Sequence, residues 1–131
     1  MNANAIEIYE SSDGKARFYF SHSDNERTTG VLVLQPQSAL PKHNRPFSVE
    51  NLTQISGTCL MTLFDEHDKP TKIELAEGEG IKMYKGQWHI HANPYDEVSV
   101  TLFKAEGDIT QIIEVLRNTN KKIDSNIPKN V

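Results

Sequence analysis

The sequence predicts an all-β domain, a sandwich or barrel, followed by one amphipathic C-terminal helix. Three observations carry that prediction. Between Ala16 and Phe103, short runs rich in β-branched and aromatic residues recur at close intervals, separated by turn residues. No helical period interrupts the series. At Gly107 the period changes, and apolar residues then recur three and four apart.

Taken in order, "ARFYF" and "GVLVLQP" are the first strands, joined by the polar stretch "SHSDNERTT". "FSVENLTQIS" alternates, with Glu50, Leu52 and Gln54 on one face and Val49, Asn51, Thr53 and Ile55 on the other, so one face must accept a carboxylate. "GTCLMTLFDEHDKPTKIEL" reads as a hairpin turning at "DEHDKP". "GIKMY", "QWHIHA" and "EVSVTLF" complete a β region over about 14–104. The helix is expected over about 108–122, with Asp108 as its cap answered by Gln111. Ile109, Ile112, Ile113, Val115 and Leu116 form its apolar face, and Arg117, Lys121 and Lys122 lie in its last turn. Its stripe must cover the β structure or a neighbouring subunit. The polar tail 124–131 is expected to fray.

The 131 residues suit a single domain with one core. A net charge of −4 with scattered lysines and arginines excludes a polyanion footprint, so no nucleic-acid partner is expected. No apolar run is long enough to span a bilayer, and "MNANAIEIYE" has no basic start with an apolar run, so a soluble, cytoplasmic protein without a membrane partner is expected. The lone Cys59 sits among apolar neighbours and reads as a small buried hydrophobe. His22 and His67 lie in polar connections and read as surface residues.

The chemistry concentrates in "KHNRPFSVE" and "GEGIKMYKGQWHIHANP". His43 and Arg45 lie two apart, as do His89 and His91, so in extended chain each pair shares a face, with Trp88 and Ile90 opposite the second pair. If these faces meet with Glu50, three imidazoles, a guanidinium and a carboxylate converge. That many ionisable groups need partners, which makes the cluster a metal site or a polar ligand pocket.

These residues resemble the two motifs of the small single-domain cupins of the RmlC-like kind, usually written G-x5-H-x-H-x3/4-E-x6-G and G-x5-P-x-G-x2-H-x3-N. His43, Glu50 and Gly57 fall at the spacing of the first, and Gly78, Gly86, His89 and Asn93 match the second. Gln37, Arg45 and Tyr84 stand where the motifs have glycine, histidine and proline. The resemblance implies a double-stranded β-helix, the cupin jelly-roll barrel, with a C-terminal helix. It also implies a divalent transition metal (iron, manganese, nickel or zinc), for which this chain retains His43, Glu50 and His89.

Arg45 has no lone pair and cannot replace a histidine ligand. Two histidines and a carboxylate still make a workable facial set, to which His91 could add a nitrogen or Gln54 an oxygen. The metal-free alternative pairs Arg45 with Glu50 and leaves the imidazoles to bind a carboxylate or sugar hydroxyls, with Tyr84 at the pocket mouth. Two functions follow. One is a metal-dependent enzyme acting on a sugar, sugar acid or keto acid, an isomerase, epimerase or oxygenase in which Glu50 or His91 moves the proton. The other is a module that binds or senses a small polar molecule without turnover. Trp88, Phe18, Phe20 and Phe103 are expected in the core or a subunit contact, and Asn93 before Pro94 as a turn-stabilising side chain. A homodimer through edge strands near the N-terminus is expected.

Overall fold

The computed structural model describes residues 6–123. Two antiparallel sheets face each other across one core. The larger contains β1 (Glu7–Glu10), β2 (Ala16–Ser23), β3 (Arg27–Leu34), β5 (Ser48–Ser56), β8 (Gly80–Met83), β10 (Ser99–Gly107) and β11 (Lys121–Ile123), in the order β11-β1-β2-β3-β10-β5-β8. The smaller contains β4 (Ser38–Ala39), β6 (Cys59–Phe64), β7 (Pro70–Leu75) and β9 (His89–Asn93), in the order β4-β9-β6-β7. Helix α1 (Thr110–Thr119) follows β10.

Alternation decides which side chains go inside. Along β5 the residues from Ser48 to Gln54 alternate between buried and outward positions, which puts Glu50 and Gln54 on the core face beside Leu52. Along β10, Ser99, Thr101, Phe103 and Ala105 point inward. Phe18, Phe20 and Phe103 form an aromatic cluster, with Phe20 meeting Phe103 edge to face at 5.8 Å. Gly57 and Gly107 combine a close approach with a positive φ. A Cβ on Gly57, at φ +70°, would stand 2.3 Å from the Val98 carbonyl oxygen, and one on Gly107, at φ +124°, would stand 2.1 Å from that of Phe47.

The structure corrects several boundaries. The β region begins at Glu7, earlier than the polar opening of the chain suggested, because β1 gains a partner on each side: β2 and β11. That covers the N-terminal edge expected to be exposed and makes β11 the outer strand. The helix is shorter than 108–122: Asn120 takes an extended conformation, and Lys121 and Lys122 leave the helix to pair with β1. Asp108 is not the cap either. The cap position is Ile109, without a side-chain bond, while the Asp108 carboxylate accepts from the backbone N–H and the hydroxyl of Thr110. Ile109 and Ile113 are buried, Ile112 and Leu116 pack against the same cluster, and Val115 is 59% exposed, on the far side of the helix. The stripe therefore covers the β structure. Among the described residues no helix is long and apolar enough to cross a membrane. The tail 124–131, expected to fray, lies outside the described residues.

Candidate functional site

Glu50 comes from the larger sheet and His89 and His91 from the smaller, so the two sheets meet at the polar cluster. His43 reaches it through an isolated bridge to β9: its backbone N–H donates to the His89 carbonyl at 3.0 Å and His89 returns the bond at 2.9 Å. The two rings stand edge to face with centroids 4.3 Å apart. The next residues bend toward β5, and the Arg45 carbonyl accepts from Gly86 N–H at 3.0 Å. The Arg45 side chain then lies with Nε 3.4 Å from Glu50 Oε2. His43, Arg45, Glu50, His89 and His91, joined by Thr101 of β10, form the polar wall of one cavity of about 30 Å³. Its opposite wall is Phe18, Phe20 and Phe103, and α1 closes it through Ile109, Ile112 and Ile113.

Burial keeps the imidazoles neutral. It is the largest cause in all three: with the Arg45 charge and then His89 it takes His43 down to about 3, with His89 it takes His91 down to about 4, and it lowers His89 against the opposing pull of the Gln87 carbonyl. His43 Nδ1–H donates to the Pro41 carbonyl at 2.7 Å, and His89 Nδ1–H to the Gln87 carbonyl at 2.9 Å. A carbonyl only accepts, so the hydrogen sits on Nδ1 in both rings and Nε2 is a bare lone pair. Holding one ring nitrogen on a carbonyl is how metal-ligating histidines are oriented.

The site leaves both donors and acceptors without partners. Among the described residues, the buried side-chain polar atoms without a hydrogen-bond partner are Arg45 Nε, Ser48 Oγ and Glu50 Oε2, all in one short segment. Two of them face each other across the Arg45–Glu50 gap, close enough for attraction but outside hydrogen-bond geometry. Two imidazole lone pairs and an unsatisfied carboxylate oxygen fit a cation in kind. In spacing they are more open: among the described residues no three His, Cys, Asp or Glu side chains stand close enough together to hold a metal ion.

Three expectations are corrected here. Gln54 does not face the cavity; it is fully buried, its amide nitrogen donates to the Ser56 carbonyl at 2.9 Å and to Ser99 Oγ at 3.0 Å, and its oxygen accepts from Thr101 Oγ1 at 2.6 Å. Both amide hydrogens and one lone pair of the oxygen are thereby taken. Tyr84 is 65% exposed and lies outside the cavity, in a surface groove with Phe64 and Trp88. Trp88 itself is 47% exposed and outside the core, because the strand alternation that turns His89 inward turns its neighbour out. Thr101 was missed. Its signal was available in the alternation of "EVSVTLF", which places it on the same face as Phe103.

Other expectations hold. Cys59 is fully buried, and burial pushes its thiol up to about 11, so it is not a thiolate at neutral pH. His67 lies in the exposed turn between β6 and β7, and His22 pairs with Asp24 at 2.7 Å on the surface. Asn93 is completely buried, its amide nitrogen within 3.2 Å of the carbonyls of Leu34, Gln35 and Glu97.

No protein-family model and no curated protein matches the chain in sequence. Solved structures do match in shape. A recombinant oxalate oxidase in complex with glycolate superposes with TM-score 0.59 at 15% identity, over 63% of this chain and 42% of the oxidase. The oxalate decarboxylase of Bacillus subtilis, studied for its Mn(II) centres, superposes with TM-score 0.65 at 20% identity, over 72% of this chain and 26% of the decarboxylase. Peruvianin-I, a cysteine peptidase from Thevetia peruviana latex, gives TM-score 0.66 at 12% identity, over 74% of this chain and 64% of the peptidase. The fold is the cupin jelly roll. The chain spans less than half the length of the oxalate oxidase and about a quarter of the decarboxylase. The motif residues fall where the spacing put them. Gly78 and Gly86 adopt positive φ, and Gln37 takes φ 60° in place of the motif's glycine while its amide nitrogen donates to the Pro94 and Tyr95 carbonyls and to Asp96.

Proposed function

We propose that the cavity is a metal-dependent site for a small organic acid, with His43, Glu50 and His89 holding a divalent transition cation and Arg45 anchoring the acid's carboxylate. The observation that carries this is a set of unanswered lone pairs: two bare Nε2 atoms and an unpartnered Glu50 oxygen line a cavity whose permanent cation is Arg45. A cation answers the lone pairs, and Arg45, poorly bonded to Glu50, is free to turn its fork to an anion. When bound, such a cation supplies Lewis-acid polarisation of the acid's oxygens and, if redox-active, electron transfer. The chain's own contribution is orientation by Arg45, neutral imidazoles that keep their lone pairs at neutral pH, and an apolar roof from α1 that excludes water. Two of the structural neighbours, the oxalate oxidase bound to glycolate and the Mn(II)-containing oxalate decarboxylase, support this ligand class by analogy.

The cavity is small, about 30 Å³, which suits a two-carbon acid better than a sugar ring.

The Arg45–Glu50 approach at 3.4 Å favours one other reading, a pocket that binds an organic acid or carbohydrate without metal. Glycolate titrated into metal-loaded and chelator-treated protein separates the two. Binding that needs the metal supports the proposal, and equal affinity in both preparations supports the metal-free pocket. In either background Arg45→Ala should weaken glycolate at least about tenfold, the loss of one charge-assisted pair. An unchanged dissociation constant would remove Arg45 as the anchor.

A further inference from the structure

Three side chains that no motif requires form a directed chain of hydrogen bonds ending on His91. Its direction is set by one backbone carbonyl. Gln54 Nε2 lies 2.9 Å from the Ser56 carbonyl oxygen, which can only accept, so the amide must turn its nitrogen there and its oxygen toward Thr101. Thr101 Oγ1 stands 2.6 Å from that oxygen and gives it its only hydrogen. With that hydrogen given to Gln54, the hydroxyl, which also meets the Cys59 thiol, can only accept in its 3.3 Å contact with His91 Nε2, so in that bond Nε2 carries the hydrogen. Every member of the chain is buried: Gln54 and Thr101 are fully inaccessible and His91 is 4% exposed, so water does not offer an alternative partner.

We propose that Gln54 and Thr101 are positioning residues that hold His91 as the Nε2–H imidazole, so that His91 serves the site through Nδ1 and not as a ligand through Nε2. The three histidines then divide into two kinds: His43 and His89 carry the hydrogen on Nδ1 and present Nε2, and His91 does the reverse. This leaves Nδ1 as the only lone pair that His91 can offer the site. The use of that lone pair toward a bound acid rests on the function proposed above, whereas the tautomer rests on the bond directions alone. Loss of glycolate binding would therefore leave the tautomer pattern intact, and the two ideas fail separately.

Imidazole nitrogen shifts of the full chain, ¹⁵N-labelled and at neutral pH, test the inference. The expected spectrum has a protonated-type Nε2 and a bare-type Nδ1 for His91, opposite to His43 and His89. Gln54→Met removes the acceptor, frees the Thr101 hydrogen to point at His91, and should invert its tautomer. Thr101→Val should produce a mixture, and Thr101→Ser should restore the parent pattern. A parent protein with His91 in the Nδ1–H form overturns the inference, and the parent spectrum decides this even if a variant fails to fold. An Nε2–H tautomer that persists unmixed in Gln54→Met or Thr101→Val would show that the relay does not set it.

Discussion

Between pH 7 and pH 4.5 the metal-free protein should lose on the order of 4 kcal/mol of folding stability. His43 titrates near 3 and His91 near 4 in the fold, against about 6.5 for a histidine in an unfolded chain. Below pH 6.5 the unfolded chain takes up protons that these rings refuse, so stability falls with pH through that window. Each ring contributes at most about 1.4 kcal/mol per pH unit, and the half-buried His43 somewhat less because solvent screens it. Such a loss is a large part of the 5–15 kcal/mol that ordinary domains possess. Urea unfolding of chelator-treated protein at a series of pH values measures it directly. A midpoint that does not move across this range would mean that the His43 and His91 rings are solvated.

Asn93→Ala should cost on the order of 3 kcal/mol while leaving the cavity's ligand binding intact. The Asn93 amide nitrogen serves three carbonyls from two different connections, and its oxygen accepts from Tyr95 N–H at 3.2 Å. Truncation strands buried acceptors at the point where β3 and the segment after β9 come together, and each unsatisfied group costs about 1–3 kcal/mol. Asn93 does not line the cavity, so binding and stability should separate. The check is thermal or chemical unfolding beside glycolate titration. A stable variant, or one that folds normally and binds poorly, would contradict the clamp assigned to this side chain.

Much of this arrangement is legible in the sequence because strand alternation is a strict rule with a period of two. It places Glu50 inward from "FSVENLTQIS" and turns His89 and His91 in together while Trp88 goes out. The motif spacing adds the pairing of His43 with His89, which alternation alone does not give. What the sequence hides is long-range satisfaction of polar groups. Gln54 looks like a ligand because an amide on a core face needs partners, and only the fold shows that Ser56, Ser99 and Thr101 already supply them. Tyr84 misleads for a related reason: its place in the motif says which turn it occupies, and the turn's outward orientation comes from packing. The helix end is hidden because Lys121 and Lys122 suit a helix C-terminus by charge, while the competing gain, a strand on the open side of β1, lies more than a hundred residues away in the chain.

The claim at the centre of this account is that His43, Glu50 and His89 share one cation. It is tested most directly by titrating Mn(II) into chelator-stripped protein and following the free ion by electron paramagnetic resonance, with His89→Ala and Glu50→Gln alongside. Saturation near one ion per chain is expected in the parent, and loss of binding in both variants despite their folding. An unaltered free-ion signal in the parent with Mn(II), together with no uptake of iron, nickel or zinc, would contradict it.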